Sequence, residues 1–344
     1  MKLFKIKRKS NVPEQSLPLA EGLIGMKVVS DPSNADLDIV FVHGLTGNRE
    51  RTWTHENGTF WPQDLLAKDF PNARIMTFGY DVDVFKFTSI TSSDRLYDHG
   101  QSLAYALVSH RSECSTRPIL FIAHSLGGLV CQQAFILSNS IDGLWAISSS
   151  AIGIIFMGTP HYGSSLAYYG EKLAKYVNMV HSANREIVGT LNPGSNDLQR
   201  VGNEFQTMLR RGDLTLNIFC FYEAKKMNDV VGKIVEEQSA VLRGYENCSI
   251  NADHSNMTKF KGCEDEGYKL ARSVIVRWLQ KPAGDATVPE KPPVDDVNSP
   301  PPVAGTPAWL QSWTPGNTYF NGPVNGRHVM QGFQANGDQN FAFN

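Results

Sequence analysis

A serine lies in a run of small residues between two apolar segments. Ser125 is at the centre of Ala123-His124-Ser125-Leu126-Gly127-Gly128, which follows the apolar run 118–122 and precedes residues 129–137, which can form a helix. A strand, a sharp turn that bears the serine and then a helix form a nucleophile elbow, which lifts the hydroxyl clear of a sheet. Ala123 takes the place of the first glycine of the usual Gly-x-Ser-x-Gly pattern, and we expect its methyl group to be accommodated. The alternative is a serine in a structural turn. The sequence predicts that Ser125 is a nucleophile.

A serine hydroxyl is a poor nucleophile until a base takes its proton, and that base is usually a histidine oriented by a carboxylate. In enzymes with this elbow, the chain order is serine, acid, histidine. His254 lies in a polar loop just before the last helical pattern, where this order places the base. The alternative is a histidine in a surface loop. We predict that His254 is the base.

The acid is expected at the end of the strand that precedes this loop. Glu223 directly follows the apolar run 216–222, and a carboxylate that closes a buried strand needs a partner or water. Asp229, further along the same loop, is the alternative. Asp253 is too close in sequence to His254 to face its ring easily. We predict that Glu223 orients His254.

An oxyanion hole needs two N–H groups directed at the developing negative charge. The residue after the nucleophile, Leu126, supplies one. The second is predicted at Leu45, with Thr46 as the alternative, because Gly44 lets the chain turn inward at the end of an early apolar run. A glycine turn without a catalytic role is the competing interpretation. The N-terminus of the helix after Ser125 also favours an anion there.

Apolar runs of strand length alternate with helical patterns from residue 37 to about 281, which predicts an α/β fold with a doubly wound, mostly parallel sheet. Predicted strands cover 37–42, 74–78, 118–122, 152–157 and 216–222, and predicted helices cover 98–111, 128–137 and 264–279. Residues 1–36 are taken as an N-terminal extension. Residues 164–211 read as helical without a strand, so we expect a cap over the site, or ordinary crossover helices. A Pro-rich linker is expected over 282–315, followed by a tail over 316–344.

The composition restricts the classes of partner. The net charge of −2 gives no reason to expect nucleic acid as a partner. Five cysteines without metal-ligand spacing and no secretory signal predict reduced thiols in the cytoplasm. No cofactor is expected, because no nucleotide-binding glycine loop or metal-ligand cluster occurs. The basic residues within 2–9 offer a peripheral contact with an anionic membrane surface, although a solvated terminus is the simpler interpretation.

Five motifs in one order carry a resemblance to a known group. They are 42–47 (VHGLTG), 61–66 (WPQDLL), 123–128 (AHSLGG), 156–161 (FMGTPH) and 253–255 (DHS). Over residues 37–280 the chain resembles fungal lipase-like α/β hydrolases, which are related to the mitochondrial serine-active-site and glycosylphosphatidylinositol-deacylase groups. The resemblance implies the α/β-hydrolase fold and hydrolysis of carboxylic esters of lipids. It agrees with a triad of Ser125, Glu223 and His254.

The tail combines turn signals with short aromatic patches. Asn-Gly pairs begin at 321, 325 and 336, with patches of Phe, Tyr, Val and Met between them. Such patches are too short for a sheet within one chain, but copies stacked in register form cross-β structure. A disordered polar tail is the alternative. The pattern resembles the sigma-class prion-forming motif of fungal lipase-like allorecognition proteins.

That resemblance implies an effector of heterokaryon incompatibility and programmed cell death. Its partner is a nucleotide-binding receptor with a matching amyloid motif, which templates self-assembly of the tail. The sequence thus favours an active ester hydrolase controlled by its tail. The competing hypothesis is a catalytically inactive hydrolase-fold protein that acts through the tail alone.

Overall fold

The part of the chain that the structure describes folds around a seven-stranded sheet. The computed structural model describes residues 23–45, 47–81, 92–161, 172 and 196–280. The strands are β1 (Gly25–Ser30), β2 (Leu37–Val42), β3 (Ala73–Gly79), β4 (Ile119–His124), β5 (Ala151–Met157), β6 (Asn217–Glu223) and β7 (Glu246–Ile250). Their order across the sheet is β1-β3-β2-β4-β5-β6-β7. Only the β1–β3 pair is antiparallel among these strands, so the other six end at one edge.

Both faces of the sheet are covered within the described residues, as the doubly wound prediction requires. All six residues of β2 are buried. Val40 and Val42 belong to one apolar cluster, while Ile39 and Phe41 belong to the other. Because side chains alternate along a strand, a continuous apolar run fills two cores at once. The prediction of the α/β-hydrolase fold is confirmed.

Helices connect successive strands, and the last helix follows β7. They are α1 (Ala67–Asp69), α2 (Ser92–His110), α3 (Leu126–Ser140), α4 (Trp145–Ser150), α5 (Asn196–Arg211), α6 (Glu237–Ala240) and α7 (Glu266–Gln280), with short helical turns at Arg51–Trp53, Pro62–Leu66 and Asp142–Leu144. Residues of α2, α3 and α5 pack on one face of the sheet. Trp53, Trp61 and the apolar side of α7 pack on the other. The described helices contain none that is long and apolar enough to cross a bilayer.

Two strands that were not predicted from the sequence lie at the edges of the sheet. Strand β1 lies within the predicted N-terminal extension and pairs with β3, so the folded domain begins before residue 37. Strand β7 pairs with β6. Both are short and partly exposed, so neither has the continuous apolar run by which the central strands were recognised.

Part of the predicted cap is a crossover helix. Helix α5 connects β5 to β6, and Phe205 within it is fully buried, with its ring 6.1 Å from that of Phe135 in α3. Residues 164–171 and 173–195 lie outside the described residues, so the cap itself stays a prediction. The predicted linker, 282–315, and the predicted tail, 316–344, also lie outside them.

Candidate active site

The structure places Ser125 in a strained turn between β4 and α3. Its backbone has φ 54° and ψ −125°, and no other non-glycine residue in the described ranges has a positive φ. Such a conformation costs roughly 1–3 kcal/mol and persists only where the surroundings enforce it. The Ser125 N–H donates to the carbonyl of Met157 at the end of β5, at 2.9 Å. This geometry is a sharp strand-to-helix turn, as expected for the predicted nucleophile elbow.

Two glycines after Ser125 allow close approach of other backbone. A methyl group at Gly127 would lie 2.4 Å from the carbonyl oxygen of His43. One at Gly128 would lie 2.1 Å from the hydroxyl oxygen of Thr159. Ala123, by contrast, already has a methyl group, which is fully buried and belongs to the core cluster. The helix after the nucleophile therefore packs directly against the loops that follow β2 and β5.

The predicted acid and base come together. Glu223 is the last residue of β6, and its Oε1 lies 3.7 Å from Nδ1 of His254. The same oxygen accepts a hydrogen bond from the Val235 N–H at 2.6 Å. Asp229, the alternative acid, is exposed, and the carboxylate of Asp253 accepts hydrogen bonds from residues of its own turn. Glu223 is therefore the carboxylate that meets His254.

His254 also lies next to the elbow. The Nε2–H of His124, the residue before the nucleophile, donates to the carbonyl of His254 at 2.9 Å. The two imidazole rings are 4.8 Å apart. A methyl group at Gly158, which follows Met157, would lie 3.0 Å from Cε1 of His254. The structure thus brings His254 and Ser125 to the same edge of the sheet.

Burial controls the charge of this pair. His254 is 3% exposed and Glu223 is 1% exposed. Desolvation, with a smaller effect of His124, holds the pKa of His254 well below its usual range, so its imidazole is neutral and able to accept a proton. Burial raises the pKa of Glu223 to about 8, against the opposing effect of the hydrogen bond from the Val235 N–H.

The pair also has unsatisfied polar atoms. Within the described ranges, neither ring nitrogen of His254 nor Oε2 of Glu223 has a hydrogen-bond partner. Buried polar atoms are rarely left without partners in native proteins. Such atoms, in groups whose pKa values are perturbed by burial, are typical of functional sites.

The predicted oxyanion loop lies against the elbow. A methyl group at Gly44 would lie 2.8 Å from Cβ of Ser125, and Leu45 is buried beside it. The Gly44 carbonyl accepts hydrogen bonds from Nδ1–H of His43 at 2.9 Å and from the Gly47 N–H at 3.1 Å. Because the Gly44 carbonyl and the Leu45 N–H belong to one planar trans peptide, these bonds also fix the direction of that N–H. Thr46, the alternative donor, lies outside the described residues.

Tyr80 holds the same loop from behind. Its ring stacks on His43 with centroids 4.4 Å apart. Its hydroxyl donates to the His43 carbonyl at 2.7 Å, and its N–H donates to Nε2 of His43 at 3.3 Å. Nε2 is therefore an acceptor and Nδ1 carries the proton, so His43 is neutral and in its Nδ1–H tautomer. Burial lowers the pKa of His43 to about 4, in agreement with this assignment.

The 61–66 motif, which contains Trp61, holds the loop that carries the predicted base, His254. The Trp61 indole N–H donates to the Thr258 carbonyl at 2.8 Å, and the Thr258 hydroxyl donates to the Thr52 carbonyl at 2.8 Å. Both bonds fix the loop that carries His254. The motif is thus structural, and Trp61 contributes no group to the site.

The sequence analysis did not identify His124 and Tyr80 as part of the site. His124 lies within the serine motif, so its position was a signal, although its partner is 130 residues away. Tyr80 follows β3, and its contact with His43 depends on β2 and β3 being neighbours. His161, the last residue of the 156–161 motif, is buried with its Nδ1 2.9 Å from Nε2 of Gln132.

Two sequence comparisons found similar proteins over part of the chain. A family model described as "Putative serine esterase (DUF676)" matches residues 32–199. Protein SERAC1 of Mus musculus is 30% identical over 156 residues, which cover 41% of this chain and 24% of that protein. SERAC1 of Homo sapiens is 28% identical over the same length, with the same coverage. The chain therefore matches about a quarter of the length of these relatives.

Solved structures provide a further comparison. Lipase BlEst2 of Bacillus licheniformis has a TM-score of 0.49 and 19% identity, over 74% of this chain and 97% of that one. Alpha/beta hydrolase domain-containing protein 10 from mouse has a TM-score of 0.40 and 12% identity, over 74% and 92%. The family match contains Ser125 and the oxyanion loop but ends before Glu223 and His254. The assignment of Glu223 and His254 to the site therefore rests on the geometry of this chain and not on the family match.

Proposed function

We propose that the chain is a serine hydrolase that cleaves carboxylic esters. The observation that carries the proposal is the meeting of three independent features at one sheet edge. They are the strained turn at Ser125, the Glu223–His254 pair and the constrained loop around Gly44. The similarity to serine esterases over residues 32–199 supports the same chemistry.

Each residue has a defined role in this mechanism. His254 takes the hydroxyl proton of Ser125 as Oγ attacks the acyl carbon, and Glu223 stabilises the imidazolium that forms. The N–H groups of Leu45 and Leu126 stabilise the tetrahedral oxyanion. The alcohol leaves with the proton from His254. Water, activated by the same histidine, then hydrolyses the acyl-enzyme and releases the carboxylic acid.

We further propose that the acyl substrate is a lipid, a lipase-like or phospholipase-like specificity that the fungal lipase-like resemblance supports. The same resemblance supports a role for residues 316–344 in cytoplasmic self-assembly, templated by a nucleotide-binding receptor during heterokaryon incompatibility and programmed cell death. Recruitment to membranes through the basic N-terminus belongs to this proposal.

A synthetic peptide of residues 316–344 should form fibrils with a cross-β spacing of about 4.7 Å. A peptide that stays monomeric argues against the assembly proposal alone.

The esterase proposal is tested by hydrolysis of p-nitrophenyl esters, from acetate to palmitate, by the full chain. Ser125→Ala and His254→Ala should each lower kcat by about 10⁶, because the triad acts as a unit. Ser140→Ala removes a helix hydroxyl far along α3 from the elbow and should leave kcat unchanged. Wild-type protein that hydrolyses no ester, with or without assembled tail, contradicts the proposal and favours the inactive interaction protein.

A further inference from the structure

A buried lysine outside the triad contacts the segment that holds the triad acid. Lys172 is 6% exposed. Its Nζ donates to the carbonyl of Lys233 at 2.6 Å and to Oε1 of Glu236 at 2.8 Å. A lysine ammonium is strongly hydrated and loses that hydration on burial. The Lys233 carbonyl and the Glu236 carboxylate replace part of that hydration around the Lys172 cation.

The groups that Lys172 contacts lie on either side of the residue that bonds Glu223. The Val235 N–H donates to Glu223 Oε1 at 2.6 Å. The Lys233 carbonyl precedes Val235 by two residues, and the Glu236 carboxylate follows it by one. Lys172 therefore holds both sides of the N–H that donates to the predicted acid.

We propose that Lys172 is a positioning residue for Glu223, acting through residues 233–236 to hold the Val235 N–H on the carboxylate and so keep it in its ionised, base-facing state. This inference rests on the proposed triad. It connects the chain between β5 and α5 to the catalytic acid, because Lys172 precedes α5 while residues 233–236 follow β6. Lys172 touches neither the substrate nor the reacting atoms.

The charged groups around Glu223 show why such support matters. His254 faces it from the base loop, with Nδ1 at 3.7 Å. Asp253 raises the pKa of Glu223, while Lys233 lowers it slightly. Desolvation is the largest influence and favours the neutral acid. Glu236 is the carboxylate that faces Lys172, and its side chain is half exposed, so solvent weakens its neutralisation of the ammonium.

The experiment compares pH profiles of kcat/KM for the wild type, Lys172→Met and Lys172→Arg. Methionine keeps the length of the side chain and removes the cation. We expect the acid limb of the Lys172→Met profile to move up by about one pH unit and kcat at pH 7 to fall about tenfold. Lys172→Arg should restore most of the wild-type profile. Lys226→Met, an exposed lysine in the same connection, is the matched control and should change neither.

The inference is overturned if the Lys172→Met profile superimposes on the wild-type profile. It is also overturned if activity falls equally at all pH values and the acid limb of the profile does not move. If Lys172→Met does not fold, Lys172→Gln keeps a neutral donor and should shift the limb in the same direction. Infrared spectra that compare each protein with Glu223→Gln report protonation of Glu223 without any turnover. An inactive wild type defeats the esterase proposal, whereas an unchanged protonated fraction in Lys172→Met defeats this one.

Discussion

At the scale of single residues, the site depends on hydrogen bonds that join segments far apart in the chain. His124 links the nucleophile turn to the base loop through the carbonyl of His254. Tyr80 and His43 together hold two successive peptides of the oxyanion loop. In the proposed mechanism, these contacts supply the preorganisation that electrostatic stabilisation of a transition state requires. None of them adds a reacting group.

Removing the Tyr80 hydroxyl tests the role of the oxyanion loop. Tyr80→Phe keeps the stacked ring and deletes the donor to the His43 carbonyl, so the Leu45 N–H is aimed less accurately. We expect kcat to fall about tenfold, less than the 10²–10³ typical of losing an oxyanion donor itself. KM should stay within about twofold, and the melting temperature should fall only slightly. Tyr105→Phe, an exposed tyrosine, is the control. A loss confined to KM contradicts this role.

The ionisation of Glu223 sets the expected pH dependence. Because the carboxylate must be charged to stabilise the imidazolium, kcat/KM should rise with pH and reach half its maximum near pH 8. The measured value belongs to the coupled Glu223–His254 pair. The raised pKa also means that the stability contributed by this carboxyl is full below about pH 4.5 and is lost as pH rises to about 8.

Thermal unfolding across that range checks the sign. The melting temperature of the wild type should fall relative to that of Glu223→Gln between pH 4.5 and 8, and the difference should then level off. Activity that is greatest near pH 5 and falls by pH 8 contradicts this assignment of charge.

At the scale of elements, the sequence predicted the features that leave a continuous apolar run or depend on the order of motifs along the chain. The five predicted strands, the elbow and the Glu223–His254 pair were found this way. The edge strands β1 and β7 were missed because exposed edges need no apolar pattern. Tyr80 and Lys172 were missed because their partners are fixed by strand order and by side-chain contacts, which leave no local trace.

Close packing of α3 against the oxyanion loop gives a prediction with a built-in control. At Gly127 a methyl group meets two backbone oxygens, of Val42 and His43, which cannot move independently of the site. Gly127→Ala should lower stability by about 2 kcal/mol and kcat by more than about a hundredfold, as expected when a group beside the reaction is misplaced.

Gly143 lies beyond the other end of α3, and a methyl group there meets nothing within 4 Å. Gly143→Ala should therefore be neutral or slightly stabilising. Chemical denaturation and ester kinetics measure both variants. Equal effects of the two substitutions contradict the packing argument.

At the scale of the whole molecule, the two ends of the central strands have different tasks. The proposed catalytic groups lie at the carboxyl ends of these strands. At the amino end of β2, the fully buried carboxylate of Asp38 contacts the guanidinium groups of Arg74, Arg111 and Arg117. The first of these is a two-point contact, with distances of 2.9 and 2.8 Å. This cluster joins β2, β3 and the chain that follows α2.

Substitution of Asp38 should separate stability from catalysis. Asp38→Asn leaves three guanidinium groups around a neutral amide, and we expect the free energy of unfolding to fall by about 3 kcal/mol. Folded protein should keep its kcat, because the cluster lies at the opposite end of the strand from His43. Asp142→Asn, an exposed aspartate, should change neither quantity. A large loss of kcat in fully folded Asp38→Asn contradicts this division.

The central claim is that His254 activates Ser125 as a nucleophile, and covalent labelling tests it most directly. The full chain is treated with a fluorophosphonate at pH 8.5, followed by intact mass and peptide mapping. The account predicts one equivalent on Ser125, none on Ser125→Ala, and labelling of His254→Ala slowed by at least about 10³. Wild-type protein that stays unlabelled, or that labels at another residue, contradicts the account.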